Sequence, residues 1–81
     1  MRIEVTATDV QKGVPRDCRR CPVALALRRA FEAVDVSVGG NSAVIDTHHY
    51  MLPETVAEFI SRYDIYGKAE PFEFQLDTEV E

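Results

Sequence analysis

At 81 residues, 46% apolar and 28% charged with four glycines and four prolines, the chain has the composition of one small globular domain, not of a disordered or fibrous segment. Its longest apolar run, Val23 to Leu27, is five residues against the roughly 20 of a bilayer-spanning helix, and Met1-Arg2-Ile3-Glu4-Val5 leads into no apolar segment of the kind a secretory leader carries. The net charge of −5 argues against a nucleic-acid binder, and two cysteines three positions apart cannot staple a secreted mini-protein, so a cytoplasmic protein is expected.

Arg2-Ile3-Glu4-Val5-Thr6 alternates polar and apolar positions with β-branched residues and reads as a first strand with one buried face. Thr8 to Gly13 has the pattern of a single helical turn, capped by Thr8 and stopped by Gly13, and Val14-Pro15-Arg16 is an extended link. The organising stretch runs from Asp17 to Val34. Ala24, Leu27, Phe31 and Val34, joined by Val23 and Ala30, form one apolar stripe, while Arg28, Arg29 and Glu32 fall opposite it. Pro22 leaves two starts for this helix. Either it opens at Pro22 with Cys21 as its cap, or a loose first turn after an Asp17 cap holds both cysteines; the second is the expectation. Both put the thiols, Arg19 and Arg20 at the N-terminal end.

Asp35-Val36-Ser37-Val38 is a short alternating strand, Gly39-Gly40-Asn41 offers left-handed backbone for a hairpin turn, and Ser42 to Thr47 is the return strand. His48 to Leu52 carries that strand into a second helix opened by Pro53. Val56, Phe59, Ile60 and Tyr63 are its inward stripe, Glu58 and Arg62 pair on its outer face, and Gly67 ends it. Phe72-Glu73-Phe74-Gln75-Leu76 alternates strictly and is the clearest strand, with Pro71 at its start. The order β-α-β-β-α-β predicts an α+β domain over residues 1–76, a four-stranded antiparallel sheet with two helices on one face as in ferredoxin-like folds. Residues 77–81 form an acidic tail.

Charge divides the chain: residues 1–34 carry +3 and residues 35–81 carry −8, an asymmetry that bears on partners and steering, not on fold. Arg16, Arg19 and Arg20 at the helix start, with Arg28 and Arg29 further along, are candidates for holding a protein partner or an anion. Guanidinium forks, free helix N–H groups and the helix dipole together suit a carboxylate or a phosphorylated small molecule; solvated arginines whose stems cover apolar surface are the plain alternative. Nucleic acid is further disfavoured because the aromatics interleave with acids at Phe72-Glu73-Phe74.

Cys18-Arg19-Arg20-Cys21 is a C-x-x-C at a helix N-terminus beside guanidinium groups, the setting that stabilises a thiolate. Its element order does not match thioredoxin, and small buried cysteines are the ordinary alternative. Adding His48 and His49 completes a Cys2His2 zinc set by residue type. Neighbours on a strand point to opposite faces, however, so at most one of these histidines joins the cysteines. The chain has no G-x-S-x-G, no glycine-rich phosphate loop and no H-E-x-x-H, so no enzymatic set emerges.

Through Cys21-Pro22-Val23-Ala24-Leu25-Ala26-Leu27, Leu52-Pro53-Glu54 and Pro71-Phe72-Glu73-Phe74, the chain resembles small uncharacterised proteins encoded by bacteriophages and actinobacterial genomes. The resemblance transfers no activity, cofactor or binding residue. It implies a context in which a small non-enzymatic protein binds a host protein and inhibits or modulates a defence or regulatory system. That reading ranks first, with a homodimer joining sheet edges, or using the exposed side of Leu25, as its variant. A thiol-redox or zinc module on Cys18 and Cys21 ranks second, and a nucleotide or anion site at the helix N-terminus third.

Overall fold

Ile3 and Val5 alternate with Arg2 and Glu4, and the computed structural model, which describes residues 1–76, turns that alternation into a strand with one sealed face and one wet one. This strand, β1 (Arg2–Val5), is followed by α1 (Ala7–Lys12), α2 (Pro22–Phe31), β2 (Val36–Val38), β3 (Ser42–Ile45), β4 (His48–Met51), α3 (Glu54–Tyr66) and β5 (Phe72–Gln75). The α+β class is as expected. The single four-stranded sheet is not formed: β1 pairs antiparallel with β5, and β2, β3 and β4 make a separate antiparallel sheet. The reason lies at Asp46. Its backbone is left-handed, with φ of 56°, a conformation that aspartate tolerates better than most residues. The chain turns back at Asp46-Thr47, so His48 pairs with Ile45 and Met51 with Ser42. β4 thus occupies the edge of β3 that β1 would take in a ferredoxin-like sheet, and His48 to Met51 is a separate strand leading into α3 and not a continuation of the Ser42 to Thr47 strand.

α2 sits between the two sheets, touching β1, β2 and β3. Val23, Ala24, Ala26 and Leu27 are all buried, and with Ile3, Val5, Val36, Val38, Ala43, Ile45, Leu52, Val56, Phe74 and Leu76 they make one continuous core. Burial of that apolar surface is the main favourable contribution to folding. α2 begins at Pro22, with Cys21 as its N-cap, so the alternative start is the correct one: proline at the first helical position loses no hydrogen bond. The helix also ends early. Glu32 adopts φ of 50°, and Ala33 N–H closes on Arg28 O at 3.1 Å. Val34, expected on the inward stripe, is therefore 89% exposed.

The cap of α1 lies two residues before the expected Thr8. Thr6 is that cap: the Asp9 N–H donates to Thr6 Oγ1 at 3.2 Å and the Thr6 N–H to Asp9 Oδ2 at 2.9 Å, a reciprocal capping box. Pro53 caps α3 instead of opening it, whereas Gly67, at φ of 72°, ends that helix as expected, its N–H donating to Tyr63 O. Val56 and Tyr63 are buried and Phe59 and Ile60 half-buried, so the inward stripe holds. The Glu58–Arg62 pair is not among the ion pairs of the described residues. The β2–β3 hairpin turns through Gly40 and Asn41, closed by Gly39 N–H to Ser42 O at 2.8 Å, and neither Gly39 nor Gly40 has a positive φ. The acidic tail, 77–81, lies outside the described residues.

Candidate functional site

The start of α2 is built by side-chain and backbone bonds that use up its own free groups. Pro22 has no N–H, and Ala24 donates to Cys21 Sγ at 3.4 Å, while Leu25 N–H reaches Cys21 O at 3.0 Å. A helix N-terminus attracts an anion through unsatisfied N–H groups. Here the buried Cys21 sulfur already takes the Ala24 N–H, one of the groups that an anion at this end would use.

The arginines separate rather than cluster. Arg19 pairs with Asp35 at 2.8 Å. Arg28 folds back over the turn to donate to Arg19 O at 3.0 Å, leaving its Nε buried without a partner among the described residues. Arg29 grips the buried Asp9 with both guanidinium nitrogens at 2.8 Å and donates to Glu4 O at 2.9 Å. It ties α1 and β1 to α2, so this candidate for a partner or anion already holds a carboxylate of its own chain, with its side chain still 53% exposed. Burial disfavours the Asp9 carboxylate, but the Arg29 hydrogen bonds, the Thr6 N–H and the Arg29 charge outweigh that and hold it below its ordinary range. Of the five arginines singled out in the sequence, Arg16 and Arg20 stay exposed with no ion pair among the described residues. Arg16 is itself in a turn, not an extended link. Its φ is 63°, and its backbone N–H donates to Asp64 Oδ1 of α3 at 2.8 Å.

Cys18 is exposed and Cys21 buried, both as free thiols. Cys18 lies in the turn before α2, anchored where its carbonyl accepts the Val38 N–H at 2.8 Å. Burial pushes the Cys21 thiol up, against the pull of the Ala24 and Val23 N–H groups. His48 and His49 are exposed on β4. Neither lines the cleft that holds the cysteines, and no three His, Cys, Asp or Glu side chains among the described residues converge as metal ligands. The Cys2His2 set is thus not brought together.

What the fold does bring together is a cleft of about 560 Å³. One wall is the 16–18 turn with Cys21, a second is the hairpin tip at Gly39, Gly40 and Asn41, and the third is the α3 face bearing Ala57, Ile60, Ser61 and Asp64. Val38, Ala57, Ile60 and Cys21 give it an apolar floor; Arg16, Asp17, Asn41 and Asp64 give it a rim of both signs. Of these, only Arg16, Cys18 and Cys21 stood out in the sequence. Ala57, Ser61 and Asp64 recur at helical spacing beside the apolar stripe of α3, and that strip of small and polar positions was the signal for a wall left uncovered. No helix among the described residues is long and apolar enough to cross a membrane. No protein-family model matches the chain, and neither a curated protein nor a solved structure shows significant similarity to it.

Proposed function

We propose that this chain is a small non-enzymatic binding domain that receives a protein partner in the cleft between the Arg16–Cys18 turn, the Gly39–Asn41 hairpin tip and α3. The observation that carries the reading is the composition of that cleft. Three segments far apart in sequence supply an apolar floor ringed by Arg16, Asp17, Asn41 and Asp64, the pattern of a recess that takes one anchoring side chain and satisfies the polar groups around it. The exposed guanidinium of Arg20 on the neighbouring turn extends the surface. By the resemblance to phage-encoded proteins the partner is a host protein, and the outcome is inhibition or modulation of the system it serves.

Plugging the cleft from opposite walls tests this. Gly40 has no atom within 4 Å of an added Cβ and Ser61 is exposed on α3, so Gly40→Trp and Ser61→Trp fill the recess while leaving the core untouched. Proteins captured by the wild type from a bacterial lysate are expected to be lost with both variants and kept with His49→Ala, which lies on β4 away from the cleft. Sedimentation of the purified chain separates a second copy from a different protein as occupant. Capture unchanged by both plugs would remove the cleft as the binding surface.

A further inference from the structure

Partner binding leaves the two thiols without a role, yet both line the same cleft, one at its mouth and one in its floor. We propose that Cys18 and Cys21 are a dithiol which small carboxylate-bearing disulfides oxidise at the cleft mouth, forming a reversible Cys18–Cys21 disulfide at the start of α2. The inference stands on its own, whatever occupies the cleft.

Three observations support it. The first is spacing. Arg20 N–H closes the turn on Asp17 O at 3.2 Å, and residues 18–20 continue as turn up to the cap residue Cys21. That turn spans 17–20, with Cys18 inside it and Cys21 one residue past its end, and both line the same cleft; a disulfide needs their Cα atoms at about 4.4–6.8 Å. The second is asymmetric access, since Cys18 is exposed and Cys21 is 4% exposed. The third is the company kept by Cys18: Arg16 stands on the same rim for a carboxylate, and Asp17 and Asp64 stand there for an amine, so a disulfide of amino-acid or short-peptide type matches the charges at the mouth.

Access fixes the order of events. The Cys18 thiolate attacks one sulfur of the small disulfide; the S–S bond breaks, a Cys18–S–S–R bond forms and one RS⁻ leaves. Cys21 then gives its proton to solvent and attacks the Cys18 sulfur, expelling the second RS⁻. Two protein thiols are oxidised to one disulfide, one external disulfide is reduced to two thiols, and the two protons lost by the protein end on the leaving thiolates. The Cys21 sulfur that accepts the Ala24 N–H is drawn toward Cys18 in this step, so oxidation loosens the α2 cap. So small a ring gains little chain entropy, and the bond is readily reversed by excess thiol.

The test uses oxidised glutathione on the purified full chain, read by intact mass and thiol titration. The wild type is expected to lose both thiols and two hydrogen masses, with no retained adduct. Trypsin, cutting after Arg19 or Arg20, then releases a disulfide-linked peptide pair that dithiothreitol separates. Cys21→Ser is expected to stop at a Cys18–glutathione adduct, and Cys18→Ser to stay unreacted over the time the wild type needs for completion. A wild type that stays reduced, keeps one glutathione with one free thiol, or crosslinks only between chains would overturn the proposal. The wild-type masses decide this even where a variant fails to fold.

Discussion

Arg29→Ala is the substitution whose cost the structure fixes best. It removes two charge-assisted hydrogen bonds to Asp9, both 2.8 Å, and a third to Glu4 O at 2.9 Å. The Asp9 carboxylate is left 4% exposed, holding only the Thr6 N–H. Breaking a fully buried pair costs about 3–5 kcal/mol. The Arg29 side chain is 53% exposed, so water replaces part of what is lost and about 2–3 kcal/mol is expected. A domain of this length holds about 4–12 kcal/mol in all, and the loss lowers Tm by about 10–20 °C. Urea unfolding of Arg29→Ala, Asp9→Ala and the double variant is expected to show a coupling of about 1–2 kcal/mol. Acid supplies a second readout. Because the folded carboxylate is held below its ordinary value near 3.8, its stabilising contribution is present above that value and is lost as pH falls through the lower folded value. The gap between the wild type and Asp9→Asn is therefore expected to be full at pH 5 and to shrink as pH drops below about 4. A coupling under about 0.5 kcal/mol, or a gap independent of pH, would refute the claim that this pair holds α1 onto α2.

Tyr63→Phe removes the hydroxyl that reaches Gly13 O at 2.8 Å and Val10 O at 3.1 Å, and a loss of about 1–2 kcal/mol in urea unfolding is expected because it strands carbonyls at the end of α1. Gly13→Ala is expected to destabilise by about 1–3 kcal/mol through overpacking, since the new Cβ would lie 2.7 Å from the Pro22 ring. Gly40→Ala, with open space around it, is expected to leave the urea midpoint unchanged or slightly raised. Arg2 bridges Glu73 at 2.9 Å and Glu4 at 3.4 Å, two carboxylates that face each other across the β1–β5 ladder. Arg2→Ala is expected to cost about 0.5–1 kcal/mol at low salt and less at high salt, by thermal unfolding at the two ionic strengths.

Local pattern in the chain was a sound guide to which residues face inward and a poor one to where strands find partners. Ile3, Val5, Leu27, Val56 and Phe74 are all buried because period alone decides their face. The four-stranded sheet failed at one residue: a left-handed Asp46 carries no glycine or asparagine-glycine signature, yet it makes the hairpin that gives β3 a second partner and denies that edge to β1. Val34 went astray for a like reason, since Glu32 ends α2 in a left-handed conformation with no glycine to announce it.

The candidate site was legible only where its residues are neighbours in sequence. Cys18, Cys21 and Arg16 could be read; Gly39, Gly40, Ser61 and Asp64 could not, because the bonds that set them opposite the thiols, Val38 N–H to Cys18 O and Arg16 N–H to Asp64, join segments 20 and 48 positions apart and involve backbone groups that every residue carries. Arg29 shows the converse. Its charge suggested a partner outside the molecule, but the capping box had already placed a buried carboxylate at Asp9, and a buried charge that is not paired costs more than any surface contact returns. The guanidinium therefore lies across the surface onto Asp9. The turn carrying Arg16, Cys18 and Arg20 stays exposed beside the cleft, which is why both proposals, the partner and the oxidant, are placed there.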